Sequence, residues 1–357
     1  MGDTYPTLKV AAVQAVPVFL DREATTEKAC KLIREAGEGG AKFIVFPEGF
    51  IPSHPVWYHF HPGTSSTGIK LSVELFKNSV EIPGPQITDL CQAAKDAEAY
   101  VVMGLCEKLP NTIGTMYNTQ VFIGPDGSYL GKHQKLAPTV GERLVHKGGF
   151  GDTFGTIETE YGPVSGLLCS ENSNPLMIMA LCAEGTRIHA AAWPNHWSKL
   201  QKSMKEFVSI ATLNFAQATK AFVISSCATV DERMIKMMEL TPEEENILRE
   251  PEYAGGSMIA APNGKLIAGP MGNEEGILYA DIDLELSVRH KLEHDFAGHY
   301  NRSDVFQLFI NRNAPQLYIQ QGKKFPDPEN LFEKIQDSSD IDELALNYFQ
   351  DEESDGC

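Results

Sequence analysis

Short strand-like stretches alternate with longer helix-like ones along most of the chain, and this alternation restricts the fold more than any other feature. The strand-like stretches are residues 8–13, 43–46, 100–106, 117–123, 128–132, 167–169, 188–193, 222–227, 257–260 and 265–268. Apolar residues at helical spacing fall between them, over residues 24–36, 70–80, 86–97, 175–184 and 204–218. This order predicts an α/β protein.

Two of the predicted strand pairs carry turn residues typical of hairpins. Pro125-Asp126-Gly127 separates the strands of the first pair, and Asn263-Gly264 separates those of the second. Because each half of the chain contains one such hairpin, the sequence suggests internal pseudo-symmetry. Two sheets covered on their outer faces by helices would accommodate this order. Residues 231–250 are predicted to form a charged helical excursion, and no linker divides the chain into independent domains.

The charge of the chain argues against nucleic acid and membrane surfaces as partners. Lys and Arg number 30 against 48 Asp and Glu, for a net charge of −18. Nucleic-acid binding needs clustered basic residues, and none stand out here. No apolar run approaches the roughly 18 residues of a membrane-spanning helix.

The seven scattered cysteines predict a cytoplasmic protein with reduced thiols. Residues 337–357 contain eight acids and no Lys or Arg, and they are predicted to form a solvated tail.

Polar residues follow several of the predicted strands. They occur in FIVFPEGF (43–50), GKHQKLAPT (131–139) and GLLCSEN (166–172). Since strand ends deliver side chains to the sites of α/β sheets, Glu48, Lys135 and Cys169 are expected to converge. A cysteine nucleophile needs a base to take its proton and a cation to stabilise the charge that forms, which Glu48 and Lys135 would supply. Taken singly, each residue is more often structural, as a buried thiol or a surface charge.

Three motifs, FPEGF, KHQKLAPTVGER (132–143) and GLLCSEN, together resemble the catalytic motifs of the nitrilase superfamily, and they occur in the same order. The resemblance covers roughly residues 7–312. It implies a four-layer αββα sandwich over residues 1–312, followed by an acidic, partly disordered extension over 313–357. It also implies that Cys169 is the nucleophile, Glu48 the general base and Lys135 the group that stabilises the tetrahedral species. Glu142 would position the substrate and the lysine, with a surface ion pair to Arg143 as its alternative.

Three further stretches resemble the nitrilase branch of that superfamily. They are IPSHPVWYHF (51–60), HAAAWP (189–194) and GHYNRSDVF (298–306), the last of which amidases and carbamoylases generally lack. The resemblance implies hydrolysis of a nitrile to a carboxylic acid and ammonia, without metal or organic cofactor, and self-association into dimers or larger spirals. The substrate-contacting residues that it implies are Trp57, Tyr58, Ser170, Glu171, Trp193 and Pro194. For the two aromatic residues of the first stretch, packing in the core is the alternative.

The sequence departs from the nitrilase pattern beside the motifs. Ser170 stands where Trp usually follows the nucleophile, Gln134 where Arg usually precedes the lysine, and His146-Lys147 where Trp-Gly is common. Loss of a large side chain next to Cys169 predicts room for a bulky or arylaliphatic nitrile. Three alternatives remain open: a cyanide hydratase forming formamide from HCN, an amidase of the same superfamily, and a non-catalytic oligomeric scaffold.

The sequence predicts structural roles, rather than metal binding, for four of the histidines. A metal site built from His54, His59 and His61 is disfavoured, because no Cys or carboxylate spacing accompanies them. His189 is predicted to pack or to donate hydrogen bonds inside a sheet.

Overall fold

A computed structural model describes residues 2–195 and 204–315, and the residues up to Ala314 form one compact unit. The predicted extension over 313–357 falls almost wholly outside the described residues. Across the described ranges, none of the helices combines the length and the apolar character needed to cross a bilayer.

Eleven strands of the described residues form two mixed sheets. The first sheet contains β1 (Thr7–Gln14), β2 (Phe43–Val45), β3 (Tyr100–Lys108), β4 (Met116–Ile123), β5 (Tyr129–Gln134) and β11 (Gly276–Asp283), in the order β11-β1-β2-β3-β4-β5. The second contains β6 (Val164–Leu168), β7 (Ile188–Trp193), β8 (Phe222–Cys227), β9 (Met258–Ala260) and β10 (Leu266–Ala268), in the order β10-β9-β8-β7-β6.

Helices pack on the outer face of each sheet. The helices of the described residues are α1 (Arg22–Glu38), α2 (Ser66–Asn78), α3 (Pro85–Ala97), α4 (Pro175–Ala183), α5 (Met204–Thr219), α6 (Glu232–Met237), α7 (Pro242–Arg249) and α8 (Glu285–Glu293). One apolar cluster joins α1 and α3 to the first sheet, and another joins α4 and α5 to the second. A third cluster, with Val10, Val45, Ile188 and Ile224 among its members, lies between the two sheets. The predicted four-layer αββα sandwich is therefore confirmed.

The hairpin predictions are also confirmed. β4 pairs antiparallel with β5, and β9 with β10, while Gly127 and Gly264 adopt φ of 84° and 75° in their turns. Each sheet therefore consists of three parallel strands followed by an antiparallel hairpin, in line with the suggested pseudo-symmetry. β11 lies outside this repeat, since it returns to the first sheet and pairs with β1 over eight residues.

Some predicted boundaries were wrong. β5 runs to Gln134 rather than stopping at residue 132, because the end of the strand continues its pairing with β4. The predicted strand at 167–169 begins earlier and ends at Leu168, since Cys169 leaves the extended conformation. The charged excursion of residues 231–250 is helical but divided into α6 and α7, because Thr241 caps a new helix whose first residue is Pro242.

The two sheets meet where several parallel strands end. The N–H of Glu48, just beyond β2, donates to the carbonyl of Trp193 at the end of β7 over 3.3 Å. Gly104 in β3 allows this approach, because a Cβ there would lie 2.0 Å from the carbonyl oxygen of Pro47. The backbone thus brings Glu48, three residues beyond β2, against the second sheet.

Candidate active site

Cys169 occupies a tight turn at the end of a fully buried strand. β6 ends at Leu168, and a 3₁₀ turn over Cys169–Ser173 leads directly into α4. Asn174 begins that helix by accepting a hydrogen bond from the N–H of Leu176. Cys169 has φ 51°, in the left-handed region that residues other than glycine rarely adopt. Such a conformation persists only where the surroundings hold it in place, and it is frequent at functional sites.

Glu48 lies just beyond the end of β2 and is 1% exposed. Its Oε1 accepts hydrogen bonds from Lys135 Nζ at 2.7 Å and from Asn118 Nδ2 at 2.6 Å. Its buried Oε2 has no hydrogen-bond partner among the described residues. One oxygen is therefore held in place while the other is left to accept a proton.

Lys135 follows β5 and is buried, at 1% exposed. Its Nζ lies 2.7 Å from Glu48 Oε1 and 2.7 Å from Glu142 Oε2. Glu142 is also fully buried, and the N–H of Thr139 donates to the same Oε2 over 2.8 Å. The structure thus gives Glu142 the lysine as a partner, whereas Arg143 donates to the carbonyl of Pro138. The surface ion pair considered for Glu142 was wrong.

Two polar residues that the sequence analysis did not assign to the site complete this network. Asn118, in the middle of β4, donates through Nδ2 to Oε1 of both Glu48 and Glu142, at 2.6 and 2.7 Å. His146 Nδ1 lies 3.2 Å from Glu142 Oε1. The signal for Asn118 was a polar run, Asn118-Thr119-Gln120, inside a strand that is otherwise apolar and wholly buried.

Burial and neighbouring charges shift the pKa values of Glu48, Glu142 and Lys135. Burial, opposed by the Lys135 ammonium, raises the pKa of Glu48 to about 7. The pKa of Glu142 lies well below its usual range, because the Lys135 ammonium and His146 outweigh the effect of burial. The two carboxylates in turn raise the pKa of Lys135 well above its ordinary value despite burial. The site therefore holds a permanent ammonium beside a base that titrates near neutrality.

The surroundings of the Cys169 thiol disfavour the thiolate. Burial, reinforced by the Glu48 carboxylate, raises its pKa to about 12, although Lys135 acts in the opposite direction. The lysine lowers the pKa of the thiol only a little, because two carboxylates already pair with its ammonium. Cys169 is therefore a neutral thiol at rest, and its proton must leave as the sulfur attacks.

Of the residues implied as substrate contacts, two lie near Cys169 and two others are buried at the end of β7. Ser170 Oγ is 3.7 Å from Cys169 Sγ, and Tyr58 is close enough for the charges of Glu142 and Cys169 to affect its pKa, which burial raises well above its usual value. Trp193 is fully buried and donates through Nε1 to Ser225 Oγ over 2.9 Å, and Pro194 next to it is buried too.

The two other residues predicted to contact substrate use their side chains inside the protein. Trp57 is 1% exposed and packs edge-to-face on Phe19, with ring centroids 6.1 Å apart, so its alternative as a core residue agrees with the structure. The carboxylate of Glu171 accepts hydrogen bonds from His133 and from two backbone N–H groups.

The histidines of the loop after Glu48 do not gather into one cluster. His54 Nδ1 lies 3.8 Å from Glu48 Oε1, whereas His61 Nε2 contacts the carbonyl of Met238 at 2.7 Å. Glu48, His54 and Glu142 place ligand-type atoms within 4.8 Å of one another. Lys135 already bridges the two carboxylates, which favours an internal ion-pair network over a bound cation. His189 behaves as predicted, because its ring is buried, stacks on Phe215 and contacts Ser165 and Asn172.

Comparison with known proteins agrees with this geometry. Residues 9–290 match the carbon–nitrogen hydrolase family. A nitrilase of Bacillus sp. (strain OxB-1) is 38% identical over 86% of this chain and 89% of its own length. An arylacetonitrilase of Aspergillus kawachii is 33% identical over 85% of this chain and 92% of its own length. The crystal structure of a carbon–nitrogen hydrolase from Helicobacter pylori shares the fold, with a TM-score of 0.65 at 18% identity, over 84% of this chain and 97% of that chain.

Proposed function

The chain belongs to the nitrilase branch of the carbon–nitrogen hydrolase family, and on that premise we propose that it hydrolyses an organic nitrile to a carboxylic acid and ammonia through a covalent bond to Cys169. The observation that carries the proposal is the Glu48–Lys135–Glu142 network next to a strained, buried cysteine. Relatives named as nitrilases over most of their length support nitriles, rather than amides, as the substrate.

The first step forms a carbon–sulfur bond. Cys169 Sγ attacks the nitrile carbon as its proton passes to Oε2 of Glu48, the oxygen that has no other described partner. Glu48 then returns this proton to the nitrile nitrogen, which leaves a neutral thioimidate on the sulfur and Glu48 again as a carboxylate. A base whose pKa is about 7 can both accept and return a proton near neutral pH, which general acid–base catalysis requires.

The next steps exchange nitrogen for oxygen. Water loses a proton to Glu48 and adds to the thioimidate carbon, forming a tetrahedral intermediate with one hydroxyl and one amino group. The fixed ammonium of Lys135 stabilises negative charge that develops there. Ammonia leaves after protonation, and a thioester remains. A second water then releases the carboxylic acid and restores the thiol. All protons in this sequence pass through groups of the protein or through water.

A side-by-side assay tests this function. Purified protein is incubated with phenylacetonitrile, a short aliphatic nitrile, cyanide and phenylacetamide, while acid, amide and ammonia are measured separately. Equal amounts of acid and ammonia from a nitrile support the proposal. Formamide from cyanide alone would identify a cyanide hydratase, and ammonia from the amide but from no nitrile would identify an amidase. Product formation by Cys169→Ala would contradict the mechanism.

We further propose a preference for bulky or arylaliphatic nitriles. The small Ser170 side chain beside Sγ, at 3.7 Å, leaves space where nitrilases usually carry Trp. The similarity to an arylacetonitrilase supports the same preference. Phenylacetonitrile should therefore give a higher kcat/KM than the aliphatic nitrile. Ser170→Trp should reduce turnover of phenylacetonitrile more than that of the aliphatic nitrile, and the reverse order would contradict the proposal.

We propose that the enzyme self-associates. Apolar side chains of the last described segment are exposed, with Phe306 at 79% and Phe309 at 87%, and Leu176 of α4 is 63% exposed. These residues line one groove of about 880 Å³. An exposed apolar surface of this kind is typical of a protein interface. Light scattering should give a mass above that of one chain, and the double variant Phe306→Ser/Phe309→Ser should lower it.

The cytoplasm is the proposed location. The six cysteines that the structure describes are all free thiols, which suits a reducing compartment. Cell fractionation tests this directly, since recovery of the protein outside the cytoplasm would contradict it.

A further inference from the structure

The carboxylate of Glu171 joins two remote parts of the chain. Its Oε2 accepts hydrogen bonds from the N–H of Leu168 at 3.1 Å and from His133 Nε2 at 3.0 Å. Its Oε1 accepts from the N–H of Leu136 at 2.8 Å. The side chain is nearly inaccessible to solvent, at 3% exposed. Both oxygens are therefore used within the protein, and neither remains directed at a substrate.

We propose that Glu171 is a positioning residue that fixes Cys169 relative to Lys135, by bridging the backbone N–H of Leu168 to that of Leu136. The inference rests on the proposed function, in which these two side chains act on one substrate. Leu168 immediately precedes the nucleophile, and Leu136 immediately follows the lysine. One carboxylate thus ties the end of β6 in the second sheet to the end of β5 in the first.

The turn that carries the nucleophile needs such support. With φ 51°, Cys169 adopts a conformation that its neighbours must hold against strain. Asn172 holds the carbonyl side of the turn, since its Nδ2 donates to the carbonyls of Cys169 at 2.9 Å and of Leu167 at 3.2 Å. Glu171 holds the N–H side through Leu168. The turn is therefore fixed from both sides by two consecutive residues.

Asn172 and Glu171, which hold the turn, are each in contact with a buried histidine. Burial keeps the pKa of His189 well below its usual value, so the ring is neutral. Its Nε2 lies 2.8 Å from Asn172 Oδ1 and its Nδ1 lies 2.7 Å from Ser165 Oγ, an arrangement in which Nε2–H donates to Asn172 and Ser165 donates to the ring. His133 takes the corresponding place behind Glu171. These histidines restrict the rotamers of the two residues that hold the turn.

The expected consequence falls on the chemical step rather than on substrate affinity. A displacement of about 1 Å between reacting groups can cost about 10²-fold in rate. Loss of the bridge should therefore lower kcat by about that factor while KM changes by less than about 3-fold, because no substrate contact is removed.

Two substitutions separate bridging from charge. Glu171→Gln keeps the volume, but it replaces one acceptor oxygen by an NH2 group that faces an N–H donor, so one half of the bridge is lost. Glu171→Asp keeps the charge, but it is one methylene too short to reach both N–H groups. Both variants should lose kcat on phenylacetonitrile. Wild-type kcat in Glu171→Asp would overturn the proposal, because charge alone would then suffice.

Glu107→Gln is the matched control. Glu107 is equally buried, at 1% exposed, and also accepts three hydrogen bonds, from Lys132, Thr119 and Gln134. Its partners do not belong to the turn of Cys169. The control should lower the Tm but keep the kcat. If Glu171→Gln likewise lowers only the Tm, its role is structural and the proposal fails.

Two further measurements keep the test decisive. Should Glu171→Gln not fold, His133→Phe removes one hydrogen bond from Oε2 and leaves the bridge intact, so that kcat should fall by a smaller factor with KM unchanged. An unchanged kcat in His133→Phe would then count against the proposal.

Alkylation of Cys169 by iodoacetamide, followed by peptide mass spectrometry, needs no nitrile turnover. We expect it to slow about 10-fold or more in Glu171→Gln and to stay at the wild-type rate in Glu107→Gln.

The alkylation readout also separates failure of the inference from failure of the proposed function. If the wild type hydrolyses no nitrile but Glu171→Gln slows alkylation, the function is wrong and the positioning role stands. If nitriles are hydrolysed and alkylation of Glu171→Gln is unchanged, the positioning role is wrong.

Discussion

Glu142→Gln removes one of the two negative charges that share the Lys135 ammonium while keeping the size of the side chain. In the wild type, the negative charge of Glu142 raises the pKa of Glu48, and the lysine lowers it. Without the charge of Glu142, burial alone opposes the effect of the lysine on Glu48. The pKa of Glu48 must therefore fall, and the acid limb of the kcat/KM profile should move to lower pH.

The size of the effect follows from the distances. The oxygens of Glu48 and Glu142 each lie 2.7 Å from Lys135 Nζ, so they are separated by about 5 Å or less. Two like charges at about 5 Å repel by roughly 3 kcal/mol at an effective dielectric constant of about 20. Because one pH unit corresponds to about 1.4 kcal/mol, the limb can move by up to roughly 2 pH units. Relaxation around the new amide will reduce this, and we expect a displacement of about 1 unit.

The assay is the pH dependence of kcat/KM on phenylacetonitrile, which reports the protonation of the free enzyme. At neutral pH, kcat should fall by about 10-fold or more, because a weaker base and a less firmly held lysine both disfavour the chemical step. Glu107→Gln is again the control, and its acid limb should coincide with that of the wild type. An acid limb of Glu142→Gln that stays in place or moves to higher pH would refute the electrostatic reasoning.

Three other predictions concern the same site. In the wild type, kcat/KM should rise with pH and reach half its maximum near pH 7, because below the pKa of Glu48 the base is already protonated; a profile that is flat from pH 5 to 9 would contradict this role. The rate of alkylation of Cys169 by iodoacetamide should keep rising with pH up to at least pH 10, since its thiol pKa is raised to about 12, and a plateau near neutrality would show a thiolate at rest. Gly104→Ala should lower both the Tm and the kcat, because its Cβ would lie 2.0 Å from the carbonyl oxygen of Pro47 and would displace Glu48; Gly2→Ala, which meets no atom within 4 Å, is the control and should change neither.

Local patterns in the sequence predicted most of the fold. Apolar runs marked the strands around Val45 and Leu168, and the Gly127 and Gly264 turns marked the two hairpins. β11 was missed because its alternation is weak and its partner, β1, lies at the opposite end of the chain. Pairing over so long a separation leaves no local signal.

The site could be predicted only in part. Motif residues at strand ends predicted that Glu48, Lys135 and Cys169 would converge, and the ion pair between Glu48 and Lys135 agrees with that. Asn118 was missed, because it lies inside β4 and outside the three motifs that indicated the site. The raised pKa of the Cys169 thiol could not be predicted from the sequence, since it depends on burial and on charges from three separate segments.

The role of Glu171 could not be predicted from the sequence either. Its place two residues after the nucleophile resembles that of a substrate contact, and only the three-dimensional structure shows its oxygens turned toward Leu168, Leu136 and His133. Backbone N–H groups are common to all residues except proline, so sequence alone carries no sign of such a bridge.

The direct test of the account is whether the nitrile carbon becomes bonded to Cys169 during turnover. The protein is mixed with phenylacetonitrile, quenched in acid within one turnover, digested and analysed by peptide mass spectrometry, with Cys169→Ala in parallel. We expect an added mass, equal to that of the thioimidate or thioester, on the peptide containing Cys169 and nowhere else. Turnover of the nitrile with that cysteine unmodified, or an adduct on a different residue, would contradict the account.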